Sequence, residues 1–148
     1  MKKSRPLIGI IAAEAEYVFF SNALNTIQKE LFAANMDAAV FSSLMMSGNA
    51  EFDAAENSVY DLVDFDLLDG IIIFSSSIND VTSRERLIAR IKSDFKGPVV
   101  SFDSQVDGFA NCLYNYEPVA DMMVSHIMDH HGCKVKIGRA SCRERVSY

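Results

Sequence analysis

Six side chains in this sequence join a usable chemistry to a telling position: Tyr17, Phe19, Phe20, Ser75, Ser77 and Asp103. Each follows closely on an apolar run that reads as a strand. Hydroxyls, a carboxylate and aromatic rings are the groups that hold a small polar molecule in a largely apolar cleft. A ring stacks on the apolar face of the ligand, and the carboxylate accepts hydrogen bonds from its hydroxyls. A plainer reading also fits, in which Phe19 and Phe20 are the buried first turn of a helix and the serines cap the next one. Spacing alone leaves both open.

Other chemistries find less support. A dinucleotide site requires G-x-G-x-x-G after the first strand, whereas Gly9 stands alone inside it, and the Gly-Lys-Ser/Thr of a phosphate-binding loop is absent. A phosphoacceptor domain would end its third strand on Asp, where this chain has Phe74-Ser75. No serine, histidine and aspartate fall in a plausible nucleophile-elbow order, and Cys112 has no evident basic partner. The segment is therefore not expected to be an enzyme or to carry a cofactor. His126, Asp129 and His130 have helical spacing, but three matched ligands from one helix end are hard to arrange, so no closed metal site is expected. The pairs Met45-Met46 and Met122-Met123 read as flexible core filler.

The elements that would position the six residues follow from the hydrophobic period. Leu7-Ile8-Gly9-Ile10-Ile11-Ala12 is apolar without alternation, as in a strand buried on both faces. Over residues 18–35, Leu24, Ile27 and Leu31 recur at helical spacing. Residues 37–42 form a second strand, and 44–52, with Gly48-Asn49, a loop. Asp53 and Glu56 have capping-box spacing ahead of a helix with Val59, Leu62 and Val63 inside. Asp69-Gly70 turns into the strand Ile71-Ile72-Ile73-Phe74, and Thr82 and Glu85 repeat the cap before a helix faced by Leu87, Ile88, Ile91 and Phe95. Gly97-Pro98 ends that helix, Val99-Val100-Ser101-Phe102 is a fourth strand, and residues 111–114 a short fifth. A last helix is capped by Asn115, carries Pro118 in its first turn, is lined by Val119, Met122, Met123 and Ile127, and closes at Gly132. The order predicts an α/β fold, a Rossmann-like parallel sheet flanked by helices.

Composition fits one globular domain, with 49% hydrophobic residues among 148. Asp and Glu number 20 against 14 Lys and Arg, a net of −6, with no basic stripe, so direct nucleic-acid contact by this segment is not expected. Cys112, Cys133 and Cys142 form no C-x-x-C pair, which favours a reducing, cytoplasmic setting. No apolar run approaches the roughly 20 residues of a membrane span. Lys2, Lys3 and Arg5, the apolar run from Leu7 and Ala13-Glu14-Ala15 imitate an export leader. That run is at the bottom of the usual range of about 7 to 15 residues and reads better as a buried first strand. Residues 137–148 are different in kind. Ile137-Gly138-Arg139-Ala140-Ser141-Cys142-Arg143-Glu144-Arg145-Val146 matches the translation of a string similar to a widely used short-read sequencing adapter. The expected division is therefore a lobe over 1–136, cut near Lys136, and a non-native tail over 137–148.

Five short motifs, in order, carry a family resemblance. They are Pro6-Leu7-Ile8-Gly9-Ile10-Ile11, Phe19-Phe20, Asp69-Gly70-Ile71-Ile72, Gly97-Pro98-Val99-Val100-Ser101-Phe102-Asp103, and Asn115-Tyr116-Glu117 ahead of a helix ending His131-Gly132. Residues 6–136 resemble the first lobe of the lactose-repressor and periplasmic sugar-binding superfamily. The resemblance implies a type I periplasmic-binding-protein-like fold, in which Phe19, Phe20 and Asp103 line a cleft for a sugar-like or other small polar effector. It implies a homodimer in the full-length protein, and no helix-turn-helix fits within the few residues ahead of Leu7. Many members place Arg directly after the acid, where this chain has Ser104. Residues 57–70 are similar to sensor domains set ahead of a diguanylate cyclase, a histidine kinase or a C-terminal helix-turn-helix. The implied function is ligand sensing in a bacterial transcriptional regulator or signalling protein. The alternatives are an exported solute-binding protein of a transporter and an enzyme of flavodoxin-like fold.

Overall fold

The computed structural model describes residues 5–15, 18–44 and 50–131. Tyr17, Met45-Met46, Gly48-Asn49, Gly132, the first residues of the leader-like segment and the tail at 137–148 lie outside them. The chain divides into two compact units, Met1–Leu113 and Tyr114–Tyr148. The first holds β1 (Leu7–Ala13), α1 (Val18–Ala33), β2 (Asp37–Ser43), α2 (Ala50–Asn57), β3 (Gly70–Ile73), α3 (Val81–Asp94), β4 (Val99–Phe102) and β5 (Ala110–Cys112). Short 3-10 turns cover Ser58–Leu62, Phe65–Leu67 and Ser75–Ser77. The second holds α4 (Glu117–His131).

All five strands are parallel, in the order β2-β1-β3-β4-β5. The fold is α/β, a Rossmann-like parallel sheet flanked by helices, as the hydrophobic pattern predicts. β1 lies inside the sheet, between β2 and β3, and is apolar on both faces. It pairs with β2 from Leu7↔Asp37 to Ala13↔Ser43 and with β3 from Ile8↔Gly70 to Ile11↔Ile73. Its side chains alternate between two cores. Ile10 and Ala12 join Leu24 and Phe74, with Ile27 and Leu31 of α1 against them. Ile11 and Ala13 join Tyr60, Ile71, Ile73, Leu87, Ile91 and Phe95. Ile10, Ile11 and Ile73 are wholly buried, and each such side chain contributes about 1.5–3 kcal/mol of transfer free energy. A cut after Ala15 would remove the strand that both neighbours pair with.

Two helix starts differ from the expected ones. Asp53 does not cap α2: the helix reaches back to Ala50 and buries Asp53 in its interior. Glu56 reaches past the helix end to accept the Leu44 N–H at 3.3 Å. α3 starts before Thr82, because Asp80 is extended and its carboxylate accepts the Ser83 N–H at 2.8 Å. A charged cap interacts with the helix dipole, which a threonine hydroxyl cannot do. Leu62, expected inside, is exposed, because the chain continues from α2 as a 3-10 turn that redirects its side chains. In the second unit the Asn115 side chain accepts the Glu117 N–H at 3.2 Å, one residue ahead of Tyr116, whose carbonyl takes the first helical bond from the Ala120 N–H.

Candidate functional site

A parallel sheet places every strand's C-terminal end on one edge. Here β1 leads to β2 on one side while β3 leads to β4 on the other, so the chain reverses direction between β1 and β3. With α1 on one face and α3 on the other, this reversal is the place, outside the strand ends, where ligands of open α/β sheets bind. The residues that reach it are Glu14 and Ala15 after β1, Ser75–Ser77 after β3, and Asp103 and Ser104 after β4.

The hydroxyls there divide into two groups. Ser77 is buried; its Oγ accepts the Ala13 N–H at 2.8 Å and donates to the Phe74 carbonyl at 2.7 Å. It ties the end of β1 to the turn after β3. Ser75, also buried, shares a short hydroxyl–hydroxyl hydrogen bond with Ser104. Ser101, fully buried, donates to the Ser104 carbonyl at 2.7 Å. Ser75, Ser101 and Ser104 thus brace the turn that carries Asp103. The outward groups are others. Ser76 is exposed and donates to Asp103 Oδ2 at 3.3 Å, and the exposed Asn79 donates through Nδ2 to Glu14 Oε1 at 3.4 Å. Sequence reasoning missed Glu14, Ser76, Asn79 and Ser104. For Glu14, Ser76 and Ser104 the available signal was their place in the segments that follow strand ends, whereas Asn79 lies beyond the turn after β3 and carried no such signal.

Glu14 and Asp103 adopt left-handed backbone, with φ of 55° and 66°. For a residue bearing a Cβ this costs about 1–2 kcal/mol. Asn35, at φ 59°, ends α1, where the conformation is ordinary; the Met36 N–H bonds back to the Leu31 carbonyl. Glu14 and Asp103 cap no helix. Main-chain bonds hold them: the Glu14 N–H to the Ser43 carbonyl and the Asp103 N–H to the Cys112 carbonyl, each 2.9 Å. The loop after Asp103 is fixed as well. The Phe109 N–H closes a turn onto the Val106 carbonyl with Gly108 at φ 85°, a conformation suited to glycine. The Asn111 amide accepts the Val106 N–H at 2.9 Å and donates to the Phe109 carbonyl at 3.1 Å.

Aromatic rings continue inward from this edge. Phe19 meets Phe20 edge-on at 5.3 Å, Phe20 meets Phe74 at 5.8 Å, and Phe74 meets Phe102 at 4.8 Å. Phe74 is fully buried and Phe20 half-buried, whereas Phe19 is 46% exposed, so of the expected pair Phe19 is the ring that reaches solvent. Phe20 belongs to the core, as the plainer reading had it. Behind the edge Tyr60 donates to the Ala12 carbonyl at 2.9 Å and its hydroxyl lies 2.8 Å from the Ser43 hydroxyl. Burial pushes its phenol above the ordinary 10.0, the Ser43 hydrogen bond opposes this, and the negative Glu14 adds to the rise.

The structure thus brings together Ser75, Ser77, Phe19, Phe20 and Asp103 at one sheet edge, while Tyr17 falls outside the described residues. The groups presented outward are two carboxylates, a hydroxyl, an amide and an aromatic ring. They suit hydrogen bonding and stacking with a small polar molecule. Among the described residues, no three His, Cys, Asp or Glu gather to hold a metal ion, and no helix is long and apolar enough to cross a membrane. No family model and no curated protein matches the chain.

Proposed function

We propose that residues 6–136 are the first lobe of a two-lobed sensor of small polar molecules, in which a ligand held at the C-terminal edge of the sheet closes a second lobe over it. Closure shifts the population between open and closed states and biases an output module. The observation that carries this is the pairing of Ser76 with Asp103 and of Asn79 with Glu14 beyond the C-terminal ends of β4, β3 and β1, on turns braced by buried hydroxyls. Holding Glu14 and Asp103 in left-handed backbone costs stability that a purely structural turn could avoid with glycine. Ser75 and Ser77 support the edge, and Phe19 and Asp103 meet the ligand.

In this account the lobe is a binding module without catalysis of its own, belongs to a cytoplasmic bacterial regulator or signalling protein, makes no direct nucleic-acid contact and works in a homodimer. The interior position of β1, between β2 and β3, favours this over export, because cleavage after Ala15 would remove that strand.

Isothermal titration of the chain with a panel of pentoses, hexoses, polyols and nucleosides tests the proposal. One lobe supplies half of the cleft, so only weak binding is expected, abolished by Asp103→Ala. Submicromolar binding by this lobe alone, or weak binding indifferent to Asp103→Ala, would overturn it.

A further inference from the structure

All three histidines of the chain stand at 126, 130 and 131. α4 sets the first two one turn apart, on the same side of the helix. Their ring centroids are 4.8 Å apart and the planes are inclined by 35°. Both side chains are exposed, so a cation can reach them without opening a core. An imidazole in its neutral form is a nitrogen donor suited to copper, nickel and zinc, whereas magnesium and calcium prefer oxygen. Two such donors on one rigid helix form a chelate. The helix has already brought them together, so the second bond forms at a high effective concentration. Asp129 lies on the same turn, yet it makes no three-ligand group with the two rings. Among the described residues, the helix therefore offers two positions.

We propose that His126 and His130 form an open, exchangeable site for a divalent transition-metal cation on the last turns of α4, taking Cu2+ ahead of Ni2+ and Zn2+. The site differs from the closed three-ligand arrangement that the sequence argues against, because it needs only the pair that one helix face can supply. It stands or falls separately from the sensor proposal.

The test is titration of the full chain with Cu2+, Ni2+, Zn2+ and Mg2+, each alone in a non-coordinating buffer, followed by calorimetry. The expected result is one cation per chain, with affinity in the order copper, then nickel and zinc, and no response to magnesium. His126→Ala and His130→Ala should each weaken Cu2+ binding by about a hundredfold, the order of gain from linking two ligands. The double variant, with no imidazole left at the pair, should bind Cu2+ at least as weakly as either single one. Both positions are exposed, and far-UV circular dichroism checks that each variant keeps its helix content. Unchanged Cu2+ affinity in the double variant, a magnesium response equal to that of copper, or one cation per two chains would overturn the proposal.

Discussion

Asp103 shows at single-residue scale how the candidate site and the fold oppose each other. Its left-handed φ of 66° aims the carboxylate at the Ser76 hydroxyl, and the Ser75–Ser104 bond beneath fixes the turn. Asp103→Ala and Asp103→Gly both remove the carboxylate, but only glycine removes the backbone strain. The glycine variant is expected to be about 1 kcal/mol more stable than the alanine variant in chemical denaturation; equal stabilities would mean that the turn relaxes. Tyr60 makes the opposite point. Tyr60→Phe leaves the buried Ser43 hydroxyl without its partner and should cost about 1–3 kcal/mol. The phenol's raised pKa also sets an alkaline limit. Its contribution is complete below the unfolded value of 10.0 and is lost as pH rises through the higher folded value. Denaturation at increasing pH should show a loss of stability above pH 10 that is shallower in Tyr60→Phe. Little of this was legible beforehand. The sequence places hydroxyls and acids after strands, but which hydroxyl turns inward depends on dihedral angles that residue type does not specify. Ser75, Ser76 and Ser77 were therefore equally placed after the strand, and only the structure shows that Ser76 is the one turned outward.

At the scale of elements the apolar runs were decisive. β1, β3 and β4 lie within a residue of where their continuous hydrophobic stretches put them, because a strand buried on both faces leaves no competing pattern. Helix starts were harder. Asp80 and Thr82 both offer a capping oxygen to the third residue beyond, and only the extended backbone at Asp80 decides between them. Asp80→Ala should therefore lower the melting temperature, whereas Thr82→Ala should leave it nearly unchanged. The hydrogen bonds from Ser83 hold the Asp80 carboxyl below its ordinary 3.8. The cap is thus fully effective above that value and is lost as pH falls through the depressed folded pKa. Acid melting curves of wild type and Asp80→Ala should converge at low pH. Gly9 ties strand to core. A Cβ there would stand 2.6 Å from a Leu68 methyl, and Leu68 is itself buried. Gly9→Val forces that side chain aside and is expected to cost about 1–3 kcal/mol in denaturant titration.

For the whole molecule, the parallel order β2-β1-β3-β4-β5 gathers separate sequence segments into one edge. Ser76 meets Asp103, and Asn79 meets Glu14, only because β3 lies between β4 and β1. That explains why the fold could be read from hydrophobic period while the site could be read only in part: period fixes which strands are buried, and topology fixes which loops meet. The central claim is that this edge receives a small polar ligand. Its most direct test is a two-dimensional amide NMR titration of the chain with the sugar, polyol and nucleoside panel. A binding member is expected to shift the amides of Glu14, Phe19, Ser76, Asn79, Asp103 and Ser104 and to leave those at the opposite edge, around Leu7, Asp69 and Val99, unmoved. Shifts concentrated at that opposite edge, or none from any member at millimolar concentration, would contradict it.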